Sequence, residues 1–100
     1  MKTRVQLHNE LLTVLSKAYF QPPESLKLSY PCIVYSLEGD QISRADDLAY
    51  KRMKRYTVTV IDDNPDSEYS DELLNKFEYC SFDRCFVSNN LYHYTHTIYY

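Results

Sequence analysis

The most regular part of the chain is Tyr56-Thr57-Val58-Thr59-Val60-Ile61, where large apolar residues alternate with threonine. Successive side chains of a β-strand point to opposite faces of the sheet, so this pattern predicts a strand with positions 56, 58 and 60 on one face. Positions 57, 59 and 61 then lie on the other face. A β-rich run at 32–37 predicts an earlier strand, and the polar residues around 39–47 predict a loop between the two.

Helices are predicted on both sides of these strands. The residues Thr3-Arg4-Val5-Gln6 have the form of a capping box, and the apolar residues that follow recur at helical spacing, so residues 4–18 predict an amphipathic helix. The prolines within 20–31 end this helix and indicate an ordered connector. A second, short helix is expected from Asp71 onwards. Its buried stripe would be Leu73, Leu74, Phe77 and Cys80.

The last part of the chain predicts a β-hairpin. Asn89-Asn90 supplies a two-residue turn, because asparagine tolerates the left-handed backbone conformation that such a turn requires. This turn joins strands at 82–88 and 91–100. The predicted order is α-β-β-α-β-β, a single α+β domain over residues 1–100. Its sheet would be four-stranded and mainly antiparallel, with both helices packed on one face.

Both faces of this hairpin are expected to carry large apolar side chains if Ser88 pairs with Leu91. One face would show Asp83, Cys85, Val87, Tyr92, Tyr94, His96 and Ile98, and the other Phe82, Arg84, Phe86, Leu91, His93, Thr95 and Thr97. Two short helices can cover only one face of the sheet. The apolar residues of the other face, with Ile61, are therefore expected to contact another subunit. The alternative is that the connector at 20–31 covers them.

Composition disfavours several classes of protein. The net charge is −3 with a pI near 5.5, whereas a general nucleic-acid binder needs a basic surface. No apolar run approaches the length of a membrane span, and the first residues lack the core of a signal peptide. The protein is expected to stay where it is made, with its cysteines reduced. The 11 tyrosines, with no tryptophan, are typical of a protein interface.

A zinc site is one alternative that the residues invite. Cys80 and Cys85 precede His93 and His96, and these are zinc-ligand types. Four ligands must converge on one ion, but alternation along a strand points residues three apart to opposite faces. Buried thiols and surface histidines are therefore the preferred interpretation.

Calcium binding and catalysis are also disfavoured. Residues 62–68 resemble a calcium loop, yet Ser67 and Leu73 stand where an EF-hand has glycine and glutamate. A helix-capping acidic turn is the simpler interpretation. Gly39 is the single glycine, so no phosphate-cradling loop or glycine-lined nucleophile elbow is present. The chain is expected to be no enzyme and to bind no cofactor.

Several segments in succession resemble the tail terminator (tail completion) proteins of long-tailed bacteriophages. They are Tyr30-Pro31-Cys32-Ile33-Val34-Tyr35, Ala45-Asp46-Asp47 with Tyr50, Arg55 to Asp62 with Pro65-Asp66-Ser67, Cys80-Ser81-Phe82-Asp83-Arg84, and Asn89-Asn90-Leu91-Tyr92-His93 to Tyr100. The resemblance covers nearly all of the chain after residue 28. The chain is short for this family, and the connector at 20–31 departs from its pattern.

This resemblance implies a mixed α/β subunit of a hexameric ring at the head-proximal end of the tail tube. Such a ring stops tube polymerisation and gives the filled head a surface on which to dock. The implied partners are copies of itself, the tail tube protein and a head–tail connector or neck protein, with DNA passing only through the lumen. The implied location is the virion tail, assembled in the cytoplasm of a bacterial host. No catalytic residue, cofactor or metal belongs to the family.

A closed ring needs two different patches on each subunit. The basic run Lys51, Arg52, Lys54 and Arg55 is one candidate patch, which would meet the acidic turn of a neighbour. The full set of candidate interface residues is Asp46, Asp47, Lys51, Arg52, Lys54, Arg55, Asp62, Asp63, Asp66, Glu68, Phe82, Phe86, Leu91 and His93.

Three other functions remain open on the sequence. A head-side neck or connector subunit would use the same strands. A small phage-encoded inhibitor of a host protein would present the tyrosines on one exposed patch. A metal-stabilised regulatory domain would retain zinc through purification.

Overall fold

The computed structural model describes residues 3–23, 25–45 and 49–100, with the backbone alone for 40–45 and 49–52. Two helices, α1 (Arg4–Val14) and α2 (Glu68–Lys76), accompany one sheet. The strands are β1 (Ala18–Phe20), β2 (Cys32–Ala45), β3 (Ala49–Asp62), β4 (Cys80–Ser88) and β5 (Leu91–Tyr99). Their order in the sheet is β1-β2-β3-β5-β4, with β1 parallel to β2 and the other neighbours antiparallel. The α+β class is as predicted.

The core lies between one face of this sheet and both helices. Tyr56, Val58 and Val60 of β3 are buried together on that face, which confirms the predicted alternation. Each such side chain contributes about 1.5–3 kcal/mol by leaving water. The helices contribute Leu7, Leu11 and Leu73. At the end of β5, Tyr100 packs against Phe77 and donates a hydrogen bond to Glu10 of α1.

The sheet has five strands, so the prediction of four was wrong. The predicted helix over 4–18 ends at Val14, and residues 18–20 form β1 instead. The capping box at Thr3 is present as predicted. Leu15 is extended and ends the helix, with its N–H bonded to the Leu11 carbonyl oxygen. Pairing with 33–35 of β2 then fixes the next residues as a strand, because sheet hydrogen bonds outweigh weak helical propensity.

The predicted loop at 39–47 is also corrected, since β2 continues through residues 39–45. These residues pair with 49–55 of β3, while β5 reaches along β3 only as far as Arg55. Residues 39–45 and 49–53 therefore form a two-stranded extension of the sheet, called the ribbon below. The ribbon fits an elongated molecule of 49 × 27 × 22 Å.

The face opposite the helices is less apolar than predicted. Ile61 is only 7% exposed, and its partner Cys32 across the sheet is fully buried, so the expectation that Ile61 would contact another subunit was wrong. The rest of this face in β3 and β5 consists largely of half-buried threonines, namely Thr57, Thr59, Thr95 and Thr97. It does not form the continuous apolar surface that the sequence suggested.

Strand β4 contains a β-bulge that changes one predicted assignment. Ser88 pairs with Leu91 as predicted, but the register shifts between Phe82 and Arg84, leaving Asp83 as the extra residue. The extra residue turns Phe82 over, so it pairs with His96 and lies on the helix-covered face. The prediction that Phe82 shares a face with Phe86 was therefore wrong.

Candidate functional site

Strand β4 is an open edge of the sheet, since β5 is its only strand neighbour among the described residues. Residues 81–87 are all exposed. Three of them are large and apolar: Phe82 is 47% exposed, Phe86 37% and Val87 61%. A long edge strand with apolar side chains presents unpaired backbone groups together with a surface that favours burial. We call residues 80–88 the β4 edge.

The hairpin turn fixes which backbone groups of the β4 edge are free. Asn89 and Asn90 have positive φ angles of 53° and 64°, as a two-residue turn requires. In such a hairpin the flanking pair, Ser88 and Leu91, is hydrogen-bonded, and successive pairs then alternate. The N–H and C=O groups of Val87 and Cys85 therefore point away from β5. These groups are available to an added strand.

On the face away from the helices, two side chains of the β4 edge stack with one side chain of β5. The ring of Phe86 lies 4.9 Å from that of His93 at an interplanar angle of 12°. The guanidinium carbon of Arg84 lies 4.9 Å from the centre of the same Phe86 ring. Leu91 and His93 are half-buried. Of the four predicted apolar interface residues of the hairpin, Phe86, Leu91 and His93 thus share a face, whereas Phe82 lies on the other.

The predicted charged residues fall in two groups, one at the middle of β3 and one at its C-terminal end. Arg55 is exposed and donates to the Glu38 carbonyl oxygen at 3.2 Å, and Lys54 is half-buried beside it. Asp63, Asp66 and Glu68 are exposed and follow the C-terminal end of the strand. Asp46 and Asp47 lie outside the described residues, and so do the side chains of Lys51 and Arg52.

Among the acidic candidates that the structure describes, Asp62 alone is buried. It is 5% exposed, and its carboxylate accepts a hydrogen bond from the Asn64 N–H at 3.2 Å. The amide oxygen of Asn64 in turn accepts from the Asp66 N–H at 2.9 Å. Asp62 shapes the turn before α2, so its assignment as a partner contact was wrong.

A buried hydrogen-bonded pair joins the sheet to α2. Nδ1 of His96 lies 3.1 Å from the Val58 carbonyl oxygen, and Nε2 lies 2.7 Å from Oγ of Ser70. His96 is fully buried, and this desolvation lowers its pKa below the ordinary 6.5, so the ring is neutral. A carbonyl oxygen can only accept, so Nδ1 carries the proton and the Ser70 hydroxyl donates to Nε2.

A cavity of about 360 Å³ opens beside this pair, between α2 and the hairpin. We call it the α2 cavity. Its lining residues are Asp66, Ser67, Ser70, Asp71, Leu74, Phe82 and Tyr94. The Tyr94 hydroxyl is engaged, donating to the Asn64 carbonyl oxygen at 2.9 Å. Oγ of Ser67, by contrast, is buried and has no hydrogen-bond partner.

The Ser70–His96 pair has the geometry of a nucleophile and its base, but its surroundings oppose acyl transfer. The carboxylates of Asp66 and Asp71 line the same cavity and would destabilise the negative charge that develops on a tetrahedral intermediate. Ser70 itself is buried. The pair therefore serves better as a structural bond and a hydrogen-bond acceptor than as a catalytic dyad.

The residues considered for zinc are dispersed. Cys85 and His96 point to one face and His93 to the other, which confirms the predicted alternation. Over residues 3–23, 25–45 and 49–100 no three His, Cys, Asp or Glu side chains are grouped to hold a metal ion. Within the same residues, neither helix has the length and apolar character of a membrane span.

A comparison with models of known protein families finds no match, and neither does a comparison with curated proteins. Burial, hydrogen bonding and exposure are therefore the basis for assigning the β4 edge and the α2 cavity as candidate sites.

Proposed function

We propose that this chain is a structural subunit that assembles with copies of itself into a ring, and that the ring caps the head-proximal end of a phage tail tube. The observation that carries self-assembly is the β4 edge, with its free backbone groups at Cys85 and Val87. Its exposed Phe86 and Val87 would be buried by an added strand. The location at a tail rests on the resemblance to tail terminators, with the tube protein and a head–tail connector as partners.

The other side of the sheet supplies a complementary edge. Among the described residues, 39–45 of β2 has β3 as its only strand neighbour. Three successive antiparallel pairings separate β2 from β4, so the two strands run in opposite senses. A sheet continued from one copy to the next would therefore join them as an antiparallel pair. Contact between two different edges is heterologous, which is the type of interface that closes a ring.

Charge would guide the same assembly. Arg55 lies at the middle of β3 and Asp63 just past its C-terminal end, roughly 26 Å further along the strand, so they can meet only between subunits. A neighbour displaced along the strand direction would bring them together. Exposed pairs contribute little affinity at high salt, so this contact would set alignment and association rate.

The ring is tested by measuring mass in solution. Sedimentation velocity over a concentration series is expected to show a hexameric species for the unmodified chain. Val87→Pro removes one outward N–H and should leave a folded monomer, whereas Val87→Thr keeps that N–H and should still assemble. A monomer at every concentration and salt condition contradicts self-assembly. Rings that survive Val87→Pro contradict the role of the β4 edge.

The tail position is tested in the phage. A phage whose gene carries an early stop codon is expected to make tubes without a fixed upper length and heads that remain unattached. Electron micrographs measure both. Unattached tails of normal length would instead favour a head-side neck subunit.

A further inference from the structure

We propose that the α2 cavity binds the guanidinium group of an arginine side chain on a partner protein. This site shares only Phe82 with the β4 edge and does not depend on ring formation. The observations that carry it are the direction of the hydrogen bonds at Ser70, an unpaired buried hydroxyl at Ser67 and the charge of the cavity mouth.

Ser70 lines the cavity, and its hydroxyl has acceptor capacity to spare. Its proton is committed to Nε2 of His96, because Nδ1 of that ring donates to the Val58 carbonyl oxygen. The lone pairs of Ser70 Oγ are left for an outside donor. A ligand with N–H groups therefore fits this position better than one with only carbonyl or phosphate oxygens.

Ser67 provides an independent indication. The residue is 6% exposed, and its Oγ is the one buried side-chain polar atom without a partner in the described part of the chain. Ser67 precedes α2 in the N-cap position, yet it makes no capping bond with its side chain. Leaving a buried hydroxyl unsatisfied costs about 1–3 kcal/mol. Because Ser67 lines the cavity, a rotation of its side chain would turn the hydroxyl towards a bound donor and remove that cost.

The charge around the cavity selects a cation. Asp66 and Asp71 line it directly. From Asp62 to Leu74 the sequence has no lysine or arginine, and its acidic residues are Asp62, Asp63, Asp66, Glu68, Asp71 and Glu72. Carboxylates at this density repel a phosphate or carboxylate ligand and attract a positive group.

The shape of the cavity favours arginine over lysine. Leu74 and the exposed ring of Phe82 form its apolar wall. A guanidinium is planar, stacks on an aromatic ring and donates in a fork that matches a carboxylate, whereas an ammonium is compact and strongly hydrated. A volume of about 360 Å³ exceeds what one side chain needs, so the methylene stem would pack there as well.

The binding experiment is an NMR titration of the ¹⁵N-labelled chain with a blocked peptide, acetyl-Gly-Ser-Arg-Ser-Gly-amide. Shift changes are expected to concentrate at residues 66–74, 82 and 94. The control peptide carries citrulline in place of arginine, which keeps the shape and removes the charge. Its affinity should be weaker by about tenfold or more. Equal binding of both peptides, or no shift changes with the arginine peptide, overturns the proposal.

Matched variants test whether the arginine peptide binds in the α2 cavity or is attracted to the acidic surface in general. Asp71→Asn removes a carboxylate that lines the cavity and should lower the affinity for the arginine peptide by about tenfold. Glu72→Gln removes the same charge from the next residue, which is exposed and lies outside the lining, and should change affinity by less than about twofold. Ser70→Ala should also weaken binding, provided that its spectrum shows an intact fold. Equal losses for Asp71→Asn and Glu72→Gln overturn the proposal.

Discussion

Oγ of Ser70 lies 2.7 Å from Nε2 of His96, so a buried hydrogen bond joins α2 to a central strand of the sheet. The same imidazole reaches the Val58 carbonyl oxygen at 3.1 Å. One side chain thus links α2, β5 and β3 inside the core. Removal of the His96 side chain leaves the Ser70 hydroxyl and the Val58 carbonyl oxygen each with one hydrogen-bond partner fewer.

The first prediction concerns this link. His96→Leu should lower the free energy of unfolding by about 2–4 kcal/mol, because the Ser70 hydroxyl and the Val58 carbonyl both lose a buried partner. His93→Leu, on the opposite face and half-buried, should cost less than His96→Leu, since it loses the stack on Phe86 and one partly solvated hydrogen bond to the Leu91 carbonyl oxygen. Urea denaturation measures both. Similar losses for the two variants would contradict the structural role of His96.

The second prediction is a pH dependence with a defined sign. Burial lowers the pKa of His96 below 6.5 in the folded state, so between that value and 6.5 the unfolded chain binds more protons. The contribution of His96 to the free energy of unfolding is complete above pH 6.5. It falls as the pH drops towards the folded-state pKa and levels off below that pKa. The difference in unfolding free energy between the unmodified chain and His96→Leu should shrink over this window. A difference that stays constant from neutral pH into the acidic range would refute the shift.

The third prediction concerns thiol reactivity. Burial raises the pKa of the Cys32 and Cys80 thiols to about 11, whereas Cys85 is exposed on β4. Only thiolates react readily, so Ellman's reagent at mildly alkaline pH should label one thiol quickly and the other two only after unfolding. Cys85→Ser should abolish the fast phase and Cys80→Ser should leave it. Two thiols reacting at the same rate in the folded protein would contradict the raised pKa of half-buried Cys80.

The parts of the fold that could be predicted from the sequence are those with a clear apolar periodicity, a helix cap or a characteristic turn. The alternation over 56–61, the capping box at Thr3 and the turn at Asn89-Asn90 were all predicted and are all present. The ribbon was missed because residues 39–47 are mostly polar and show no apolar period, as in a loop. Strand β1 was missed because its three residues are too few to show an alternation of apolar and polar side chains.

The candidate sites depend on relationships that short-range patterns do not contain. The bulge at Asp83 has no glycine or proline to signal it, yet it decides on which face Phe82 lies. Ser70 and His96 are 26 residues apart, and their contact depends on where α2 settles on the sheet. One signal was available: His96 falls on the predicted core face, and a histidine enclosed in a core requires partners for both ring nitrogens.

The hydrogen bond from Tyr100 to Glu10 joins residues 90 positions apart, and the Tyr100 ring is buried with Leu7 and Leu11 in the same cluster. During synthesis, α1 leaves the ribosome long before the strand end that it packs against. The part of its apolar face that meets Tyr100 therefore stays open to chaperones or to other chains until residue 100 emerges. Contacts this distant along the sequence also slow the search for the native state.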